Sequence, residues 1–158
     1  MDFISTPADI WSLAIRLVLA TLLGAAIGLN RELSLKPAGL RTHALVSLGA
    51  ALATLVGLML TQFSSGDVAA PSRIVQGIVA GIGFIGGGVI LRRRDARGVH
   101  GLSTAASIWV VSVTGVAVGA GLWRSAVLAV VLSLLVLTVG RLIDRTVHRV
   151  GSDDPDND

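Results

Sequence analysis

Residues 74–97 read IVQGIVAGIGFIGGGVILRRRDAR: an uncharged, mostly apolar run over 74–91 that ends abruptly in Arg92, Arg93, Arg94 and Arg97. A helix rises about 1.5 Å per residue, so such a run is long enough to cross about 30 Å of hydrocarbon. The arginines behind it cannot follow it into lipid. Working outward, the same alternation recurs along the chain. Ten of the thirteen Lys and Arg residues fall in three stretches. These are 30–43 (Arg31, Lys36, Arg41), 92–101, and the C-terminal end (Arg141, Arg145, Arg149). The intervening stretches carry only Arg73 and Arg124. Uncharged runs separated by loops of alternating basicity describe a multi-pass membrane protein, with the basic loops left in the cytoplasm.

Five transmembrane helices are expected, over about 10–29, 44–60, 74–91, 102–122 and 125–143. An odd number of spans with this charge pattern puts the N-terminus outside and the C-terminus in the cytoplasm. The fold class is therefore an all-α bundle in one domain, residues 1–150, followed by an acidic tail over 151–158 that is expected to be disordered. Acidic rather than basic residues precede the first apolar run, which argues against a cleaved signal peptide. Trp11 and Trp123 fall at the expected outer interface, where indole rings settle.

Composition agrees with a lipid environment. The chain of 158 residues is 53% hydrophobic and only 15% charged, and its mean hydropathy is +0.78. A pI near 11.0 would suggest nucleic acid in a soluble protein, but here the basic residues cap apolar segments and contact headgroups. No nucleic-acid partner is expected. With no cysteine, thiolate catalysis and Cys-based metal sites are excluded. His43, His100 and His148 are isolated in sequence and lack metal-ligand spacing. Ser103, Ser107 and Ser112 have no evident base within the membrane, so a serine-type hydrolase is not expected. Cation conduction is disfavoured because the cytoplasmic loops are basic and carboxylates are few. No cofactor, no metal site and no enzymatic activity are expected.

Two groups of residues call for more than lipid. Gly81, Gly83, Gly86, Gly87 and Gly88 crowd the third span, and such density points to tight helix packing or, second, to a locally unwound segment. Their GxGxxG spacing is not a dinucleotide fingerprint, since no strand precedes it and it lies at membrane depth. Polar residues converge at the other points of interest. Arg31 and Glu32 end the first span, Arg41 and Thr42 open the second, and Gly101, Ser103 and Thr104 open the fourth. With Arg16, inside the first span, they form the candidate functional cluster. Thr42 and Ser103 or Thr104 also suit helix N-caps. Arg16 either snorkels to the surface or pairs inside the bundle, and a buried partner would be a carbonyl, hydroxyl or water.

Four segments together resemble the MgtC/SapB family of bacterial inner-membrane proteins: RLVLATLLGAAIGLNRE (16–32), AGLRTHALV (38–46), GIGFIGGGVI (81–90) and GLSTAASIW (101–109). The resemblance covers about Arg16 to Gly121. It implies a five-helix membrane domain and a role in adaptation to low magnesium, associated with virulence in some pathogens. It further implies regulation of membrane partners, the F-type ATP synthase among them. Magnesium transport by an oligomer is the competing implication, and small-residue stripes leave room for a homo-oligomer. Two departures stand out: Asn30 replaces the family's usual Glu, and longer members carry a soluble C-terminal domain after the fifth helix.

Overall fold

The computed structural model describes residues 7–63, 69–91 and 101–150. Five helices follow one another: α1 (Pro7–Glu32), α2 (Leu40–Phe63), α3 (Ala70–Leu91), α4 (Leu102–Gly119) and α5 (Trp123–Val150). Each contains a stretch long and apolar enough to span a membrane, and no strand occurs among the described residues. The expected spans lie within these helices, which extend further because helix geometry continues past the hydrocarbon edge; only the fourth is shorter, ending at Gly119. The acidic tail and residues 64–68 and 92–100 lie outside the described residues.

The ends of the helices are set by local chemistry. Proline opens α1, where its missing N–H costs nothing. Gly121 adopts φ 87° behind α4, with Gly121 N–H donating to Val118 O at 2.9 Å and Leu122 N–H to Ala117 O at 2.8 Å. This paired closure in the left-handed region ends α4 and turns the chain into α5 within three residues. The same closure ends α1, through Leu35 N–H to Glu32 O and Lys36 N–H to Arg31 O. There the left-handed residue is Leu35, φ 54°, an unfavourable choice for a side chain with a Cβ.

Helices α1, α2 and α4 form the centre. Half of the α4 span is buried, against 6% of the α3 span. Ala20, Ala51 and Val118 pack in one apolar cluster and Ile27, Val111 and Val130 in another. Close approach is made possible by glycine. A Cβ on Gly24 would lie 2.6 Å from His43 O, one on Gly28 2.7 Å from Leu40 Cα, and one on Gly119 2.7 Å from Ala51 O. Helix α2 is thus clasped between glycine faces of α1 and α4. In lipid, where apolar side chains gain little by leaving the solvent, such contact is a main source of association.

The glycines of α3 behave otherwise. Helix α3 is continuous, so no unwinding occurs, and a Cβ on Gly81, Gly83, Gly87 or Gly88 would meet nothing within 4 Å among the described residues. Only Gly86 has a neighbour, Ala105 Cβ at an ordinary 3.6 Å. The expectation that this run packs tightly is not met among the described residues, where the tight glycines belong to α1 and α4.

Candidate functional site

Because α1 ends where α2 and α4 begin, three helix ends meet at one end of the bundle. Arg31 occupies the last turn of α1 and is only 4% exposed. Its Nη2 donates to Thr104 Oγ1 at 2.7 Å and to Ser103 Oγ at 3.2 Å, in the first turn of α4. Its Nε is buried without an acceptor among the described residues. Beside it lies a second polar chain. His43 of α2, fully buried, places Nδ1 2.9 Å from Gly39 O and Nε2 3.0 Å from Ser107 Oγ. Ser107 Oγ in turn donates to Thr104 O at 2.8 Å. A carbonyl only accepts, so His43 Nδ1 is the donor to Gly39 O, and in the singly protonated ring Nε2 is left as an acceptor. The Ser107 hydroxyl proton therefore has two acceptors within reach, Nε2 and Thr104 O. The residues Arg31, Thr104, Ser107 and His43 tie α1, α4 and α2 together.

This network corrects the view of His43 as isolated and of Ser107 as lacking a base nearby. A serine and a histidine at 3.0 Å resemble a nucleophile and its base, but here the imidazole is oriented by a carbonyl rather than a carboxylate. Both side chains are also sealed from solvent. The pair acts as a clasp between α2 and α4.

Around the buried centre, Glu32 turns outward and its Oε2 accepts Leu40 N–H at 2.8 Å. That carboxylate, not Thr42, caps α2, and it suits the positive end of the helix. At α4 the N-cap is Gly101, φ 89°, with no side-chain cap; Ser103 and Thr104 instead receive Arg31. Arg41 is exposed and forms no side-chain hydrogen bond among the described residues. Thr42 lines a cavity of about 530 Å³ with Lys36, Ala38, Gly88 and Ile108.

Arg16 does not belong to this cluster. It lies at the other end of α1, fifteen residues or roughly 22 Å away by helix rise, where Nη1 donates to Gly119 O at 3.1 Å. With Trp11 and Trp123 it lines a separate cavity of about 670 Å³. Of the two fates open to it, pairing with a backbone carbonyl is the one adopted.

The residues that sequence reasoning missed are His43, Ser107, Asn30, Ser34 and Arg141. Arg141 of α5 donates to Asn30 O at 3.1 Å, to Asn30 Oδ1 at 3.0 Å and to Ser34 Oγ. Asn30 Nδ2 reaches Thr138 Oγ1 at 3.4 Å. The position noted only for its missing carboxylate is thus the anchor of α5 on α1. Among the described residues, no group of three or more His, Asp or Glu side chains is placed to hold a metal ion.

Five apolar helices around a polar junction define a multi-pass membrane protein. The model of the MgtC family matches residues 17–146, and the chain belongs to that family. It is 42% identical over 153 residues to Protein SrpB of Synechococcus elongatus, covering 92% of this chain and 84% of the relative. It is 39% identical over 146 residues to the Escherichia coli K12 protein named "Putative magnesium transporter YhiD", with 85% and 65% covered. Protein MgtC of Salmonella typhimurium is 42% identical over 136 residues, 86% of this chain and 54% of the relative. The chain thus spans about half the length of MgtC and under two thirds of YhiD. No solved structure matches it.

Proposed function

We propose that this chain is a non-enzymatic regulator in the bacterial inner membrane that acts on membrane partners during adaptation to low magnesium. The observation that carries this reading is the junction itself. Arg31, buried and bonded to Ser103 and Thr104, locks the end of α1 to the start of α4, His43 and Ser107 join α2 to α4, and Arg41 at the start of α2 stays exposed and unengaged among the described residues. A rigid platform with a free guanidinium at its rim suits recognition of another protein's polar surface. The F-type ATP synthase is the partner class implied by the family resemblance. The proposed orientation puts this junction in the cytoplasm, because ten of the thirteen Lys and Arg residues flank it or share its side.

Low-magnesium growth of a strain lacking its own copy tests this. Arg41→Ala should lose rescue at unchanged membrane abundance, and Arg93→Ala should keep it, since Arg92 and Arg94 remain. Equal rescue by both would reduce Arg41 to an interface anchor. Purified protein in liposomes should not admit Mg²⁺; uptake above empty liposomes would favour the transporter reading that YhiD's name carries.

A further inference from the structure

Three positive groups converge at the junction with no carboxylate set against them among the described residues. Arg141 is bonded to Asn30, the residue that precedes Arg31. The N-terminus of α4, which Arg31 touches through Ser103 and Thr104, has no side-chain cap. A helix N-terminus carries partial positive charge, so a guanidinium placed there is electrostatically opposed. The neighbouring acid, Glu32, is spent on the N-terminus of α2. Arg31 Nε, buried in a side chain 4% exposed, has no acceptor among the described residues. The arrangement lacks one thing, an anion with several oxygens.

A cavity of about 370 Å³ opens beside this junction between α4 and α5, within the range of roughly 300–1,000 Å³ typical of ligand sites. Its walls include Ile27, Val110, Leu132, Val136 and Leu137, and Ser103 also lines it. Ser133, Leu137 and Arg141 follow at four-residue spacing on α5, so Arg141 stands one turn beyond the wall on the same face. On α4, Ser103 begins the corresponding face of Ser107 and Val110. The slot is mostly apolar, with Ser103, Ser107 and Ser133 as its polar lining, and Arg141 follows one helical turn after Leu137 at one end. That end falls at the limit of the candidate spans, since Arg141 lies two residues before Ile143 and Ser103 one after Leu102. Headgroups occupy this depth.

We propose that the slot binds an anionic phospholipid, with one acyl chain between α4 and α5 and its phosphate at Arg31 and Arg141. Basic pockets between helices at the membrane edge recognise lipid phosphates in this way. Asn30 supports the assignment: its neutral amide holds Arg141 through Oδ1 and the backbone without cancelling its charge.

Native mass spectrometry of the full chain, released from micelles doped with phosphatidylglycerol or phosphatidylcholine of identical acyl chains, provides the test. Wild type should retain one phosphatidylglycerol at least tenfold over phosphatidylcholine. Arg141→Gln should remove the preference, and Asn30→Glu should do so by supplying an internal counter-ion. Ala106→Phe, which fills the slot, should lower retention of the lipid without touching a charge. Lys36→Gln, an exposed cation outside the slot, should change retention less than twofold. Equal retention of both lipids, or equal loss in Lys36→Gln and Arg141→Gln, overturns the proposal in favour of diffuse surface charge. Full retention in Ala106→Phe also overturns it. So does displacement of the lipid by millimolar inorganic phosphate, which would make the site one for the free anion.

Discussion

Replacing Gly24 and, separately, Gly87 by alanine makes the same chemical change on two helices, and the structure assigns the pair opposite outcomes. At Gly24 the new methyl would sit 2.6 Å from both His43 O and Ser47 Cβ. Carbon to carbonyl-oxygen contacts settle near 3.3–3.6 Å, so α1 and α2 must part by nearly 1 Å. One of the obstructing atoms is backbone, which no rotamer change can move. A gap of 0.5–1 Å forfeits about a quarter to a half of the dispersion energy along the seam, and overpacking costs about 1–3 kcal/mol. At Gly87 a methyl meets nothing within 4 Å. Alanine favours helix over glycine by up to about 1 kcal/mol at either site, so that gain cancels in the comparison. Gly24→Ala should therefore be less stable than Gly87→Ala by about 3 kcal/mol, roughly a hundredfold in the folding equilibrium. Reversible unfolding in mixed mild-detergent and SDS micelles, followed by tryptophan fluorescence, measures this. Equal stabilities, or a larger loss at Gly87, would refute the packing described here and place α3 against a partner surface.

Two further outcomes follow from backbone and charge. Leu35→Gly should raise stability by about 1 kcal/mol by relieving a left-handed leucine, whereas Gly121→Ala should lower it by about 1–2 kcal/mol; thermal melts in detergent read both. Arg16→Met should cost about 1–3 kcal/mol by removing a charge-assisted bond to a carbonyl. In lipid-free detergent Arg31→Met should cost less than Arg16→Met, because it also removes an uncompensated buried cation. The same SDS titration ranks the two, and the reverse order would mean that Arg31 has an internal counter-ion.

The spans were legible because lipid imposes one rule on every helix: apolar length enough to cross, and charge only at the ends. The three helix ends holding Arg31, Arg41 and Thr104 were legible for the same reason, since alternating topology returns them to one surface. What sequence could not supply was rotation about each helix axis. Five glycines in eight residues of α3 look more like a packing face than the spaced Gly24 and Gly28 or Gly115 and Gly119. Which face turns inward depends on neighbours that no local pattern encodes. His43 was missed for a related reason: nothing in the run from Gly39 to His43 says that α4 will present Ser107 to it. A weak signal existed in Ser103 and Ser107, four apart and hence stacked on one face.

Arg16 and Arg31 look alike in sequence, each a cation at an end of the same apolar helix, and their difference comes from the helix they share. Helix α4 runs antiparallel to α1 and offers its C-terminus to Arg16, through Gly119 O, and its N-terminus to Arg31, through Ser103 and Thr104. The C-terminus carries partial negative charge and the N-terminus partial positive charge. One arginine thus completes the electrostatics of the bundle and the other works against it. A buried cation held against a helix N-terminus by hydroxyls alone is an expensive way to join helices, because a neutral hydrogen-bonding side chain would join them without the charge. The cost is offset once a negatively charged group arrives at the junction, whether a lipid phosphate in the adjoining slot or an acidic surface of a partner. Arg16 is thereby explained by the fold alone, and Arg31 by the anion proposed to bind beside it.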